Sequence, residues 1–393
     1  MRVLVVGAGI AGPTLAYWLR RTGHEPTIVE RAPRLRSGGY LVDFWGTGFD
    51  VAERMGIVPR LEEDGYHVRE LREVSRTGRR VSHLDPSRLI DELGGRYVTV
   101  ARSDLSAAIY DAIDGGVETI FGDSVESIDD HGDRVTVGFE RGGSRDFDLV
   151  VGADGLHSTV RALTFGPQTQ FERSLGIAVA AFELPGYRPR DELVAVTHTE
   201  VGLQVLRVSI RNDTTLFCFT FRHDGELPLN DVGAQQDVLR ERFANRGWEV
   251  PRILDRIGDA ATFYLDRASQ IRMPDWSRGR VVLIGDAAAA PSLLAGQGSA
   301  LAMVEAYVLA AELHRFGSDH QSAFDAYHRR LSAVLVSKQD AAIGLGSAFA
   351  PRARWQVTAR SAVVGLMGIP LVARLAMGRS LRDPIELPAT PAS

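Results

Sequence analysis

An α/β fold is predicted by three features of this 393-residue sequence: an apolar strand that runs into a glycine-rich turn and a helix at the start, a second strand-to-glycine turn near residue 152, and a third near residue 285. A long β-rich region separates the last two. The expected architecture is therefore a Rossmann-like domain with an interleaved β-sheet domain and a C-terminal helical segment.

The first feature is the most specific. Arg2-Val3-Leu4-Val5-Val6 is a short β-branched run, and Pro13 to Leu19 reads as a helix. Between them, Gly7-Ala8-Gly9-Ile10-Ala11-Gly12 has the spacing G-x-G-x-x-G. Gly7 allows a tight turn, Gly9 lets the backbone approach a pyrophosphate, and Gly12 lets the helix pack close to the strand. With Ile10 and Ala11, the helix start offers free N–H groups and the positive end of a dipole to phosphates. Thr27-Ile28-Val29 reads as the second strand and Glu30 ends it, placed to take the ribose hydroxyls of an adenosine, with Arg31 next. Residues 1–19 also resemble a signal peptide, but three glycines interrupt the apolar stretch, no A-x-A-like cleavage site follows, and the strand to Glu30 continues the domain.

Bulk properties narrow the function. There are 45 basic and 50 acidic residues, a net charge of −5, with both signs interspersed. That argues against a dedicated nucleic-acid surface. Forty glycines suit phosphate loops and tight turns. The single cysteine, Cys218, sits in Leu216-Phe217-Cys218-Phe219-Thr220-Phe221 and reads as a buried strand thiol. It can form no internal disulfide, and nothing requires an oxidising compartment, so a cytoplasmic protein is expected. The histidines show no metal-ligand spacing, and no metal is expected.

Along the chain, Gly38-Gly39 before Tyr40-Leu41-Val42-Asp43 suggests backbone passing close to a ligand. Helices are expected at Gly48 to Met55 and Val58 to Asp64. Strands are expected at Val68 to Val74, Val81 to Leu84 and Arg96 to Val100. A helix over Asp104 to Ile113 follows, with Ser103 as its cap and Arg102 within reach of a phosphate. Val117 to Phe121 returns to the parallel sheet, Ser124 to Ile128 and Arg134 to Phe139 form a meander, and Phe147 to Val151 leads into Gly152-Ala153-Asp154-Gly155 with a helix from Ser158. The β-rich region has strands at Gly176 to Glu183, Leu193 to Thr197, Gly202 to Ile210, Thr215 to Arg222 and Thr262 to Ile271, interrupted by a helix, Val232 to Phe243. Its alternation suggests one buried face. Arg280 to Ile284 is an apolar strand ended by Gly285-Asp286. A loop through Gly296-Gln297-Gly298 opens a helix, Ser299 to Phe316, and Asp319 to Gln339 is another. Gly296 and Gly298 place a dipole end beside a negative or electron-rich group. The apolar stretch Ser361 to Ala373 is too short to span a membrane and contains Pro370. A packed helical tail is expected there, with Leu381 to Ser393 frayed.

Together, Gly7 to Gly12 with Glu30, Asp154-Gly155, and Gly285-Asp286 with Gly296-Gln297-Gly298 resemble, in order and spacing, the class A FAD-dependent monooxygenases, the p-hydroxybenzoate hydroxylase-like enzymes. Within these the chain is similar to the tetracycline-modifying and polyketide-tailoring branch, a setting of secondary metabolism. The resemblance covers roughly residues 1–340. It implies a discontinuous FAD-binding domain (1–70, 101–170 and 272–345), a substrate domain (71–100 and 171–271) and a C-terminal helical tail (346–393). Gly7, Gly9, Gly12 and Glu30 would bind the ADP half of FAD, and Arg102 the pyrophosphate and ribityl region. Asp154 and Gly155 would serve FAD and a transient NADPH or NADH, which has no fingerprint of its own here. Asp286 would hold the ribityl chain, the loop through Gly298 would flank the isoalloxazine, and Asp43 aligns loosely with a flavin-proximal position. Arg34 and Arg36 are candidates for the NAD(P)H phosphate. The chain departs from the pattern at Ala289, where histidine is usual, at Pro291, which is shifted, and at Glu305, where many members have aspartate.

The activity implied is a monooxygenase that hydroxylates a hydrophobic aromatic or polycyclic small molecule with O2 through a flavin C4a-hydroperoxide. Epoxidation and Baeyer–Villiger oxidation remain open, as do an FAD reductase or dehydrogenase of the same fold and a flavoprotein that only sequesters a ligand. No catalytic residue declares itself; His83, His198, His223 and Tyr264 lie on substrate-domain strands without an assigned role. The expected pocket lining is Phe182, Leu206, Phe217, Phe219, Phe221, Leu293 and Leu294, each of which reads equally well as core. Oligomeric state is not legible.

Overall fold

A computed structural model describes residues 1–35, 40–92, 94–366 and 385–389. Arg36, Gly38, Gly39 and most of the apolar tail fall outside them.

Strand β1 (Arg2–Val6), helix α1 (Ala11–Arg21) and strand β2 (Glu25–Glu30) form the opening unit. β1 and β2 pair in parallel, Val6 beside Val29. Parallel strands covered on both faces need continuous apolar sequence, and Val3, Leu4 and Val5 are fully buried. Next come β3 (Leu41–Trp45), α2 (Thr47–Met55) and α3 (Val58–Asp64). The hairpin β4 (Glu70–Val74) and β5 (Arg80–Leu84) precedes α4 (Ser87–Glu92), β6 (Tyr97–Ala101) and α5 (Arg102–Asp111). β6 pairs with β3 rather than with the hairpin. Ser103 does not cap α5; the helix begins at Arg102, so Ser103 lies within its first turn.

β7 (Glu118–Phe121) returns beside β2. β8 (Val125–Asp130), β9 (Val135–Phe139) and β10 (Gly143–Phe147) make a three-stranded antiparallel sheet before β11 (Leu149–Gly152) pairs with β1. The stretch expected as one strand, Phe147 to Val151, is broken at Asp148. Its carboxylate accepts the Arg2 N–H at 2.6 Å, and its own N–H donates to Arg2 O at 2.8 Å.

Then follow α6 (Thr159–Thr164), β12 (Glu172–Pro185), β13 (Val194–Glu200), β14 (Leu203–Ile210), β15 (Thr214–Arg222), α7 (Val232–Arg242), α8 (Val250–Asp255) and β16 (Phe263–Ile271). The chain closes with β17 (Ser277–Arg278), β18 (Val281–Leu283), α9 (Asp286–Ala289), α10 (Gly298–Phe316), α11 (His320–Phe349) and α12 (Arg354–Leu366).

The first sheet runs β17-β18-β11-β1-β2-β7, parallel except for β17. The second runs β16-β12-β15-β14-β13-β4-β5. In the second, strand alternation separates two faces. Phe217, Phe219 and Phe221 are fully buried with Phe182 against Leu239, Phe243 and Ile253 of the α7–α8 side. Leu216, Cys218 and Thr220 take the opposite face, toward the cavity between the sheets. The four phenylalanines expected to line the pocket are thus core residues; a period of two puts every second residue elsewhere.

Two contacts tie α2 and α10 together. On α2, a Cβ at Gly48 would fall 2.6 Å from Cα and Cβ of Ala300 on α10. At the C-terminus, residues expected to fray dock instead: the Tyr307 hydroxyl and the Arg54 guanidinium each donate to Pro388 O at 2.9 Å. Ile385 and Leu387 pack on the core. The proline-rich segment has no periodicity of its own, so only the tertiary contact reveals it. Among the described residues no helix is long and apolar enough to cross a membrane.

Because Gly48 meets backbone, Gly48→Ala should push α2 off α10, destabilise the protein by about 1–3 kcal/mol and reduce retained flavin. Thermal melting and the flavin-to-protein absorbance ratio of the purified variant check this.

Candidate active site

A cavity of about 710 Å³ lies between the two sheets. One wall carries the three glycine turns and the other is the open face of the second sheet.

The first turn is built by backbone proximity. Gly7 has φ +109°, and a Cβ there would sit 2.6 Å from Ala153 O; at Gly12 it would sit 1.9 Å from Gly7 O. Neither position admits another residue, so α1 starts directly above β1. Ile10 occupies the cap position without a side-chain hydrogen bond, and no acid lies in the first turn. The helix N-terminus therefore faces the cavity with unspent N–H groups, beside Ile10 and Ala11. Glu30 closes this end: its carboxylate accepts the Ala8 and Ala32 N–H groups, each at 2.8 Å. Two carboxylate oxygens retain capacity for further donors. Arg31 lines the same end.

Across from Gly9 stands Arg102. Its guanidinium lies 3.6 Å from the place a Gly9 Cβ would take, and its backbone N–H donates to Tyr40 O at 3.1 Å. Asp43, on β3, accepts hydrogen bonds from the Tyr97 hydroxyl at 2.6 Å and Thr99 Oγ1 at 2.7 Å. The second turn is occupied differently. Asp154 accepts from Ser158 Oγ (2.5 Å), Thr159 N (2.7 Å) and Val160 N (3.1 Å), so it caps α6, and burial raises its pKa against these bonds. Gly155, at φ +80°, follows on the cavity wall. Arg161 is buried and holds the turn from behind, donating to Leu156 O at 2.6 Å and Ala287 O at 3.0 Å.

The third turn places Asp286 at the cavity floor, open to the cleft yet deep in the fold. Burial raises its pKa while the Arg102 and Arg161 guanidinium groups oppose the shift. Gly298 opens α10 beside it, 3.8 Å from Asp286 Oδ1 to a would-be Cβ, and Gly296 turns the loop at φ +66°. Beneath this turn the Glu305 carboxyl accepts the Gly285 N–H at 2.8 Å and meets the Tyr327 hydroxyl at 3.0 Å. Burial pushes Glu305 up to about 8. The extra methylene relative to aspartate is accommodated without breaking the bond to Gly285. The altered loop 290–291 is clamped by Gln270 and Gln339, whose side-chain amides donate to Pro291 O and Ala290 O, each at 3.2 Å.

The opposite wall is largely apolar: Val179, Ala181, Leu206, Leu216 and Cys218 from the sheet, with Leu293 and Leu294 from the loop. Burial pushes the Cys218 thiol up to about 11, which suits an unreactive wall residue. Tyr40 and Tyr264 bring one phenol from each side, ring centroids 5.8 Å apart. Burial raises both phenols above their ordinary range, so both stay neutral donors. His83, His198, His223 and Arg34 do not line the cavity. Sequence reasoning missed Tyr40, Arg161 and the pair His157–Asp266. The spacing of Ser158 and Arg161 after Asp154-Gly155 was the available sign of the second; the pair, far apart in sequence, left none.

These parts fit FAD: an uncapped helix terminus for a pyrophosphate, a carboxylate for a ribose, a cation at Gly9, and a long cleft. Residues 1–339 match the family of the FAD binding domain. The chain belongs to that family and is a class A FAD-dependent monooxygenase. It is 40% identical over 343 residues to an uncharacterized protein of Mycobacterium tuberculosis, covering 86% of this chain and 91% of that protein. It is 35% identical over 357 residues to a flavin-dependent monooxygenase of an unknown prokaryotic organism, covering 88% and 90%. Among solved structures, tetracycline destructase Tet(55) superposes with a TM-score of 0.85 at 32% identity, covering 98% of each chain.

Gly12→Ala should lose FAD and more than about 3 kcal/mol of stability, because the new methyl meets backbone that cannot yield; flavin absorbance and a denaturant melt read both. At Glu305, between pH 4.5 and about 8 the folded state keeps a proton that the unfolded state has shed. Stability therefore falls as pH rises through that window. Glu305→Gln should match the wild type at pH 4.5 and exceed it at pH 8 by on the order of a few kcal/mol, seen in melts at the two pH values.

Proposed function

We propose that this enzyme uses NADPH or NADH and O2 to hydroxylate a hydrophobic aromatic or polycyclic small molecule. The observation that carries the reading is the cavity's divided wall: a phosphate- and ribose-binding side facing an apolar sheet with two neutral phenols at the junction. The balance is one substrate C–H, one O2, one NAD(P)H and one proton giving a C–OH, water and NAD(P)+.

When bound, FAD supplies the electron transfer and oxygen activation. The chain supplies the rest. Backbone N–H groups at Gly9, Ile10 and Ala11, with Arg102, neutralise the pyrophosphate, and Glu30 with Arg31 receives the adenosine end. Asp286 and the start of α10 at Gly298 orient the ribityl and ring region, while Asp154-Gly155, Gly296 and Asp43 shape the cleft beside it. Val179, Ala181, Leu206, Leu216 and Cys218 exclude water and favour a flat apolar ligand. In this reading the Tyr264 hydroxyl, on the cavity wall, donates to an oxygen of that ligand. A tetracycline is the first compound to test, given the similarity to a tetracycline destructase.

The test is turnover with ¹⁸O2 and either nicotinamide, followed by mass spectrometry of the product. Incorporation of one labelled oxygen is expected. A substrate reduced at the expense of NAD(P)H, with no labelled oxygen in it, would make the enzyme a reductase. Tight ligand binding without turnover would make it a sequestering flavoprotein.

A further inference from the structure

The turn after Asp154-Gly155 reaches across the cavity edge to the second sheet. His157 Nε2 lies 2.9 Å from Asp266 Oδ2 on β16, and Nδ1 lies 3.2 Å from Gln168 Oε1. The Gln168 amide is oriented by its other partners. Its Nε2 donates to Glu172 Oε2 at 2.8 Å, and its Oε1 accepts from Arg161 Nη2 at 3.2 Å. Oxygen therefore faces the imidazole. Both ring nitrogens meet acceptors, and only the doubly protonated ring carries an N–H on each.

Each neighbour is held in turn. Glu172 Oε1 accepts from Ser269 Oγ at 2.6 Å, and Asp266 Oδ1 accepts the Arg267 N–H at 2.7 Å. The charged groups around the ring are Asp266 on β16 and Glu172 on β12, with Arg161 on α6 sharing Gln168 Oε1 and Asp154 turned into the helix cap. Asp266, Gln168 and Glu172 raise the ring's pKa and burial opposes them. The side chain keeps 45% of its surface exposed, against 11% for Asp266. Its proton can thus exchange with solvent although its partner is fixed.

We propose that His157, held as an imidazolium between Asp266 and Gln168, is a positioning residue that latches the Asp154-Gly155 turn to β16. It sets the separation of the two cavity walls and so the alignment of cofactor with substrate. The latch joins the nucleotide-binding wall to the strand that carries Tyr264, two residues from Asp266. It opens as pH rises, because a neutral ring can satisfy only one of the two acceptors. The proposal rests on the flavin-site reading above; a wild type that takes up no FAD would refute that reading first.

Two readouts test the latch. In the apoprotein, ¹⁵N-histidine NMR should show His157 protonated on both nitrogens with a titration above that of free histidine, lowered in Asp266→Asn. In the holoenzyme, the ratio of hydroxylated product to NAD(P)H consumed should fall with rising pH in the wild type. It should be low and flat with pH in His157→Gln, by roughly fivefold or more at the wild-type optimum. The double variant His157→Gln/Asp266→Asn should be no worse than either single one. Melting temperature and FAD content identify any variant that fails to fold, and the wild-type NMR titration stands without it. A neutral His157 at pH 6, or unchanged coupling in a folded His157→Gln, would overturn the proposal. So would a change confined to the KM for NAD(P)H with the pH profile intact, which would make His157 a contact of the nicotinamide instead.

Discussion

The rest of the nucleotide-binding wall depends on the close approach of two backbones. Gly12 comes so near Gly7 that a methyl group would lie 1.9 Å from its carbonyl oxygen. This sets where α1 begins, and with it the free N–H groups above β1. Everything on the nucleotide-binding wall is measured from that point. Glu30 reaches back to the Ala8 N–H, Arg102 stands over Gly9, and the β11 turn passes close enough that Gly7 also lacks room for a side chain. A Rossmann-like unit binds phosphates by geometry before it binds them by charge.

That geometry is why this wall was legible in the sequence. Glycine spacing and a terminal acid are local, and local patterns survive the loss of tertiary information. Strand alternation on the other wall is local too, but its phase is not. Phe217, Phe219 and Phe221 look as suitable for a pocket as Leu216, Cys218 and Thr220. Only the placement of α7 and α8 decides which set faces the core. A shift of one residue exchanges the faces completely.

The remaining parts needed distant partners. His157 and Asp266 are 109 residues apart, and Gly285 meets Glu305 because α10 passes beside the turn that follows β18. The C-terminal residues around Pro388 gain their place from Arg54 and Tyr307, 334 and 81 residues away. Capping was misread at Ser103 for a smaller reason. Arg102 itself begins the helix and Ala101 holds the cap position, so the hydroxyl sits two positions too late.

The second sheet separates two kinds of constraint. One face is packed with stacked phenylalanines, Phe182 lying 5.5 Å from Phe217, Phe219 and Phe263. The other presents Val179, Ala181, Leu206, Leu216 and Cys218 to open space. Replacements on the cavity face leave the core's interlocking rings intact. Lineages descended from such a protein can therefore explore new ligands by changing a handful of wall residues without disturbing the ring stack on the face turned away.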